Sequence, residues 1–188
     1  MRNIIFLGLV SFFADMSTEM VYPLIPLYLT MAFGATPALV GVIEGIAESV
    51  ASLLKVFSGY IGDRYHRKKP IAFLGYAAGL VYKILLIFAS SWGGVLVGRV
   101  TDRLGKGIRT APRDVLVSES GGTKTLGRSF GIHKMLDMAG SAVGILIAFF
   151  LFRSWNGNDG YRELFLLSCI PAALSLGTFF FIRETTAP

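Results

Sequence analysis

Seven charged residues fall inside one otherwise apolar stretch, Trp92 to Val117, and no other feature so narrows what this chain can fold into. They are Arg99, Asp102, Arg103, Lys106, Arg109, Arg113 and Asp114. At about 100° per residue, Arg99, Arg103, Lys106, Thr110 and Arg113 fall on one stripe of a helix, with Asp102, Arg109 and Asp114 at its edges. Leu104, Ile108, Ala111 and Val115 fall opposite. Each charge at mid-bilayer costs roughly 2.5–3.5 kcal/mol on insertion scales, so the set would cost on the order of 20 kcal/mol, far more than about ten apolar residues return. Such a helix cannot face lipid all round. Either it lies outside a membrane, or its charged side looks into a polar cavity lined by helices of compensating charge.

Composition puts the chain in a membrane. Of its 188 residues 53% are hydrophobic and 16% charged, with a mean hydropathy of +0.61, whereas a soluble domain carries about 25% charge. Fifteen Phe and twenty-two Gly suit lipid-facing surfaces and closely packed helices. No alternating ten-residue segments of the kind a β-barrel needs are visible. The net charge of +6 comes without a basic and aromatic platform for nucleic acid. The single cysteine, Cys169, excludes an intrachain disulfide and a cysteine-rich metal site. The first apolar segment, Ile4 to about Ala32, is too long for the apolar core of a cleavable signal.

Six apolar stretches follow, roughly 4–31, 37–62, 70–90, 92–117, 129–152 and 163–182, each near the ~20 residues a span needs. They predict one all-α domain of six transmembrane helices over 1–188. Breaks fall at Gly34 to Pro37, with Thr36 as the expected N-cap, at the basic loop Asp63 to Lys69, at Ser90 and Ser91, and at the polar stretches 118–128 and 153–162. The distribution of basic residues decides whether 92–117 spans. If it does, Arg2, Arg64, Arg67, Lys68, Lys69, Lys124, Arg128 and Arg183 all lie on the cytoplasmic side, and only Arg153 and Arg162 lie outside. If it does not, everything after Ser90 inverts. The spanning reading follows, with both termini in the cytoplasm.

Charge balance agrees. The spans hold Asp15, Glu19, Glu44, Glu48, Asp102, Asp114 and Asp137 against Lys55, Lys83, Arg99, Arg103, Lys106, Arg109, Arg113 and Lys134. Spans 1 and 2 are acidic and span 4 is basic, as expected if their charged faces meet across one cavity lined by spans 1, 2, 4 and 5. Asp15, Glu19 and Tyr22 are spaced i, i+4, i+7 and precede Pro23 and Pro26, which break the helical ladder. These acids are either a proton or cation site beside a flexing kink, or salt bridges that pack against span 4. In the first case Arg103 or Lys106 is the expected partner that pairs with one acid and releases it. Glu44, Glu48 and Lys55 share a stripe, as an ion-pair ladder or a coupling site. His133 and Asp137, at i and i+4, continue as Gly140 and Gly144 on the face where span 5 should pack closely. His133 is a hydrogen-bonded structural residue, or a ligand or proton relay. Lys83 is expected to snorkel to the outer interface.

The segment Gly59-Tyr-Ile-Gly-Asp63-Arg64-Tyr-His66-Arg67-Lys68-Lys69-Pro70 resembles the signature between spans 2 and 3 of the major facilitator superfamily. His66 stands where that family usually has glycine. Ser11-Phe-Phe-Ala-Asp15, Glu19-Met-Val-Tyr-Pro-Leu-Ile-Pro26, Glu44-Gly-Ile-Ala-Glu48 and the run Asp102 to Asp114 are similar to a group of prokaryotic permeases within it. The family's arginine four residues before a Gly-x-Gly is replaced here by Thr101, ahead of Gly105 and Gly107. The resemblance implies secondary transport of a small molecule or ion by alternating access, with proton-coupled export as the expected mode and no cofactor. It also implies that Gly59, Asp63, Arg64 and Arg67 form a cytoplasmic latch. Family members usually have twelve spans and this chain has six, so a parallel homodimer or a second six-helix half is implied. Two other readings stay open. One is a divalent metal exporter with Asp15, Glu19 and His133 as ligands. The other is a non-transporting assembly module or an intramembrane enzyme, for which no nucleophile and base at helical spacing present themselves.

Overall fold

The computed structural model describes residues 2–65, 68–121, 125–154 and 160–182, and only the backbone for residues 55–65. Among them the chain is entirely helical: α1 (Arg2–Val21), α2 (Ile25–Phe33), α3 (Pro37–Tyr65), α4 (Lys68–Phe88), α5 (Trp92–Gly121), α6 (Leu126–Ser154) and α7 (Gly160–Phe179). Helices α1 and α2 are one bent span. Pro23 and Pro26 lack the N–H groups an α-helix needs, and the chain tightens into a 3₁₀ turn over Tyr22–Leu24 before resuming. Gly34 ends α2 in the left-handed region, φ 63°, with its N–H and that of Ala35 bonded to Thr30 and Leu29 carbonyls at 3.1 Å. Thr36 then caps α3 as expected, its Oγ1 accepting from the Leu39 N–H at 3.3 Å, with Pro37 at the first helical position.

Five helical stretches are long and apolar enough to cross a membrane. The sixth, α5, is excluded by composition alone, and the packing explains how it sits there: it lies against α3, α4, α1 and α6, with Arg99, Asp102, Arg103 and Arg109 buried. Its neighbours therefore shield the charged stripe from lipid. Helix α1 packs on α6 and α7, and α4 packs on α5 and α7. The α1 and α6 contact depends on the absence of two side chains. A Cβ at Gly140 would stand 2.2 Å from the Phe12 carbonyl oxygen, and one at Gly144 would stand 2.4 Å from that of Met16, so the two backbones touch.

The interior is layered. One apolar cluster gathers Ile25, Tyr28, Leu29, Tyr82, Leu86, Val95, Tyr161 and Phe165, and a second, toward the ends that carry Leu7 and Phe179, gathers Val10, Tyr76, Leu116 and Val117. Polar and charged residues occupy the level between. Outward faces carry Met31, Leu74, Phe88, Phe149, Phe150 and Phe180, the apolar surface a bilayer solvates. Helices α3 and α6 are the least covered spans, 17% and 22% buried over their apolar windows. They also expose charge.

Candidate functional site

Two charged clusters flank α5. In the first, Arg99, 0% exposed, reaches α3: its Nε and Nη2 donate to Glu44 Oε1 and Oε2 at 2.7 and 2.5 Å, and its Nη1 lies 3.6 Å from Asp102 Oδ2. Two parallel N–H···O bonds to one carboxylate give both strength and orientation. One turn along α5, Arg103 Nε lies 3.2 Å from Glu48 Oε2, near enough for an ion pair though not aligned as a hydrogen bond. Tyr22, at the proline break, places its ring 4.8 Å from the Arg99 guanidinium and 5.3 Å from that of Arg103. The break thus aims an aromatic face at two cations of α5.

The second cluster lines a cavity of about 280 Å³ between α1, α5 and α6, walled by Asp15, Glu19, Lys106, Arg109, Arg113, Lys134 and Asp137 with Thr110 and Ser141. Asp15 Oδ1 lies 3.6 Å from Arg109 Nη2, and the Arg109 guanidinium stacks 4.6 Å from the Tyr76 ring. The carboxyls of Asp15 and Asp137 share one wall of this cavity and act on each other electrostatically. Lys134 Nζ donates to Asp137 Oδ2 at 2.6 Å, while Asp137 Oδ1 is buried without a donor among the described residues. Arg113 pairs with Asp114 at 2.9 Å. Beside the cavity runs a hydrogen-bonded chain in which His133 Nε2 lies 3.0 Å from Ser11 Oγ, which lies 3.1 Å from Tyr76 OH. Arg109 covers the far end of that chain.

The expected residues therefore separate. Asp15, Glu19, Lys106, Arg109 and Asp137 come together in the cavity. Tyr22, Glu44, Glu48, Arg99 and Arg103 form the ladder between α3 and α5 and do not line it. Span 2 accordingly leaves the expected cavity lining, because Glu44 and Glu48 are turned to Arg99 and Arg103. His133 also stands off the wall, buried and bonded to Ser11. The basic partner of Asp15 is Arg109 rather than Arg103 or Lys106, and the acid that acts on it is Asp137 rather than Glu19. A dication at Asp15 and Asp137 would be repelled by Arg109 and Lys134, and among the described residues no three His, Cys, Asp or Glu side chains could hold a metal. Lys83 does not snorkel. It is 1% exposed, its ammonium donating to Thr18 Oγ1 at 3.2 Å.

Lys134 and Ser141 were missed as wall residues, though both lie on the Asp137 side of α6 at spacings i−3 and i+4. Gly59, Asp63 and Arg64 lie among the residues whose side chains are not described, and Arg67 lies outside the described residues. Next to them, Lys68 pairs with Glu119, and Lys69 Nζ donates to the Ile182 carbonyl at 2.5 Å.

A family model described as Major Facilitator Superfamily matches residues 7–188. The chain belongs to the Major Facilitator Superfamily. An uncharacterized MFS-type transporter of Methanocaldococcus jannaschii is 35% identical over the whole of this chain, which covers 46% of that protein. The multidrug resistance protein MdtH of Photorhabdus laumondii is 27% identical over 85% of this chain and 40% of its own length. This chain thus spans just under half the length of these relatives. Among solved structures, a peptide transporter POT in complex with alafosfalin superposes with a TM-score of 0.84 at 16% identity, over 95% of this chain and 38% of that one. That likeness establishes the fold and, taken with the family match, makes the chain a six-helix half of the superfamily type.

Proposed function

We propose that this protein moves a small solute across the membrane by alternating access, driven by a proton that Asp15 and Asp137 share. The observation that carries the reading is that these two carboxyls line one cavity, with Asp137 Oδ1 buried and lacking a donor among the described residues. Neighbouring carboxylates repel each other, which favours a proton held between them, and such a proton supplies the missing donor. Arg109 is the natural competitor for Asp15. When it closes on the acid the proton is released, and when it withdraws toward a bound solute the proton is held. Lys106 and Glu19 face the same cavity without an ion pair among the described residues and are the groups free to contact solute. Export is supported by the similarity to a multidrug resistance protein.

The working unit on this reading contains a second six-helix half, set against the face of α3 and α6 in a parallel pair and supplied by a second copy of the chain or by another six-helix half. Glu48 and Lys134 support it: their side chains are 56% and 62% exposed within spanning helices, where lipid would leave both charges unsolvated. The asymmetry of basic residues supports insertion in a prokaryotic cytoplasmic membrane with both termini inside.

The test is solute movement in sealed proteoliposomes under an imposed pH gradient. Asp15→Asn and Asp137→Asn should each abolish gradient-driven accumulation while leaving exchange of solute for solute. Full gradient-driven accumulation in both variants would refute the assignment.

A further inference from the structure

We propose that the protein binds a monoatomic halide, chloride in physiological media, in a buried pocket between Lys83 and Arg109 where α1, α4, α5 and α7 meet. Lys83 has no place in the transport reading above. It lies deep in the bundle, and its ammonium holds three N–H donors. One is given to Thr18 Oγ1, and the charge lies 5.2 Å from the Tyr82 ring centre. Among the described residues no carboxylate pairs with it. Arg109 is likewise buried, its nearest carboxylate oxygen is 3.6 Å away on Asp15, and its Nε has no partner.

The two cationic heads converge on one point. A Cβ placed on Gly79 would stand 3.7 Å from Arg109 Nη1 and 3.9 Å from Lys83 Nζ. Beside it lies a cavity of about 10 Å³ whose wall also includes Thr18, Tyr76 and Ser175. That volume admits a single particle of about water size. The wall decides which kind. Ser175 gives its hydrogen to the Val10 carbonyl, Tyr76 is engaged with Ser11, and Thr18, having accepted from Lys83, keeps its own hydrogen to donate. The donors left to this space are the remaining N–H groups of Lys83 and Arg109 and the Thr18 hydroxyl, while Ser175 Oγ, its hydrogen given away, can only accept there, so two positive charges face one acceptor.

A water could give a hydrogen to Ser175 Oγ but would bring no charge to set against the two cations. A halide takes donors only and supplies the negative charge that a buried ammonium needs. The nearby acids are already committed: Asp15 interacts with Asp137 and Arg109, and Asp102 lies 3.6 Å from Arg99. Sulfate and phosphate are too large for the space. Arg109 stands in the wall of both this pocket and the main cavity, so the halide sits behind the residue that faces Asp15.

The experiment is thermal unfolding of the purified protein in detergent, titrating sodium chloride against sodium gluconate at constant ionic strength. The midpoint should rise saturably, by about 5 °C at a hundredfold excess over Kd. Bromide should act alike, and sulfate should not. Lys83→Met should flatten the response. Gly79→Ala keeps both charges, and its Cβ meets neighbours only at ordinary contact distances, yet it crowds the pocket and should weaken chloride at least tenfold. Bromide-grown crystals should show an anomalous peak between Lys83 and Arg109. An equal rise in gluconate or sulfate would overturn the proposal, as would an unchanged chloride response in Gly79→Ala. If Lys83→Met does not fold, the alanine variant and the bromide peak decide the question.

Discussion

Replacing Arg99 by Met should destabilise the bundle more than any other single charge removal on α5, and the geometry sets the size of the effect. Arg99 has no exposed surface and joins two acids of unequal burial: the side chain of Glu44 is 27% exposed and that of Asp102 is 3% exposed. Once the guanidinium is gone, Glu44 can turn toward polar surroundings, but Asp102 is left as a buried charge whose one ion-pair partner among the described residues has vanished. Removing one member of a buried pair costs about 3–5 kcal/mol, and the lost contacts with the Tyr22 and Tyr82 rings add about 0.5–1 kcal/mol each. For a chain of this size that corresponds to a fall in unfolding midpoint on the order of 10 °C. The assay is thermal unfolding of purified protein in a mild detergent, run as a cycle with Asp102→Asn and the double variant. The double variant should recover at least half of the loss, since it no longer buries an unpaired carboxylate. A fall of less than about 1 kcal/mol for Arg99→Met, or a double variant as unstable as the sum of the two singles, would refute this reasoning.

Gly140→Ala should separate α1 from α6, because the new Cβ would press on the Phe12 carbonyl; a loss of about 1–3 kcal/mol in the same unfolding assay is expected. Cysteine at Gly45, on the open face of α3 where an added Cβ meets nothing within 4 Å, should crosslink to a second copy in native membranes, and a product of monomer mass only would count against the homodimer. Asp63→Asn should slow conformational exchange, followed by single-molecule distance measurements, while leaving solute affinity within about twofold. Affinity that falls in step with exchange would argue against a latch.

Much of the fold was legible because each signal was local. Pro23 and Pro26 mark the bend, Thr36 and Pro37 mark the start of α3, and Gly140 with Gly144 marks a close face, since proline, cap and small-residue effects act within a turn of where they occur. The charge pattern of α5 carried further. A stripe too costly for lipid needs partners, and acidic residues of α1 and α3 now stand opposite it. Which acid meets which base was not legible. Helical spacing places a side chain on a face but does not say which neighbouring helix that face meets, or at what height. Asp15 and Glu19 are one turn apart on α1, yet the acid that acts on Asp15 is Asp137, 122 residues later in the chain. Lys83 failed for the same reason. Its position in α4 resembles that of any snorkelling lysine until Thr18, 65 residues earlier, is brought to meet it. The last helix begins at Gly160 rather than near residue 163, because polar residues such as Arg162 and Glu163 can join a helix end that reaches the interface.

The most direct test of proton coupling requires no knowledge of the solute. Infrared difference spectroscopy of the membrane-embedded protein at neutral pH reads the C=O stretch of a protonated carboxyl, which shifts in heavy water. If Asp15 and Asp137 share one proton, the wild type shows such a band, and either Asp15→Asn or Asp137→Asn removes it, because the remaining acid then pairs with Lys134 or with Arg109 and ionises. A wild-type spectrum without the band, or a band that survives both substitutions, would contradict the account.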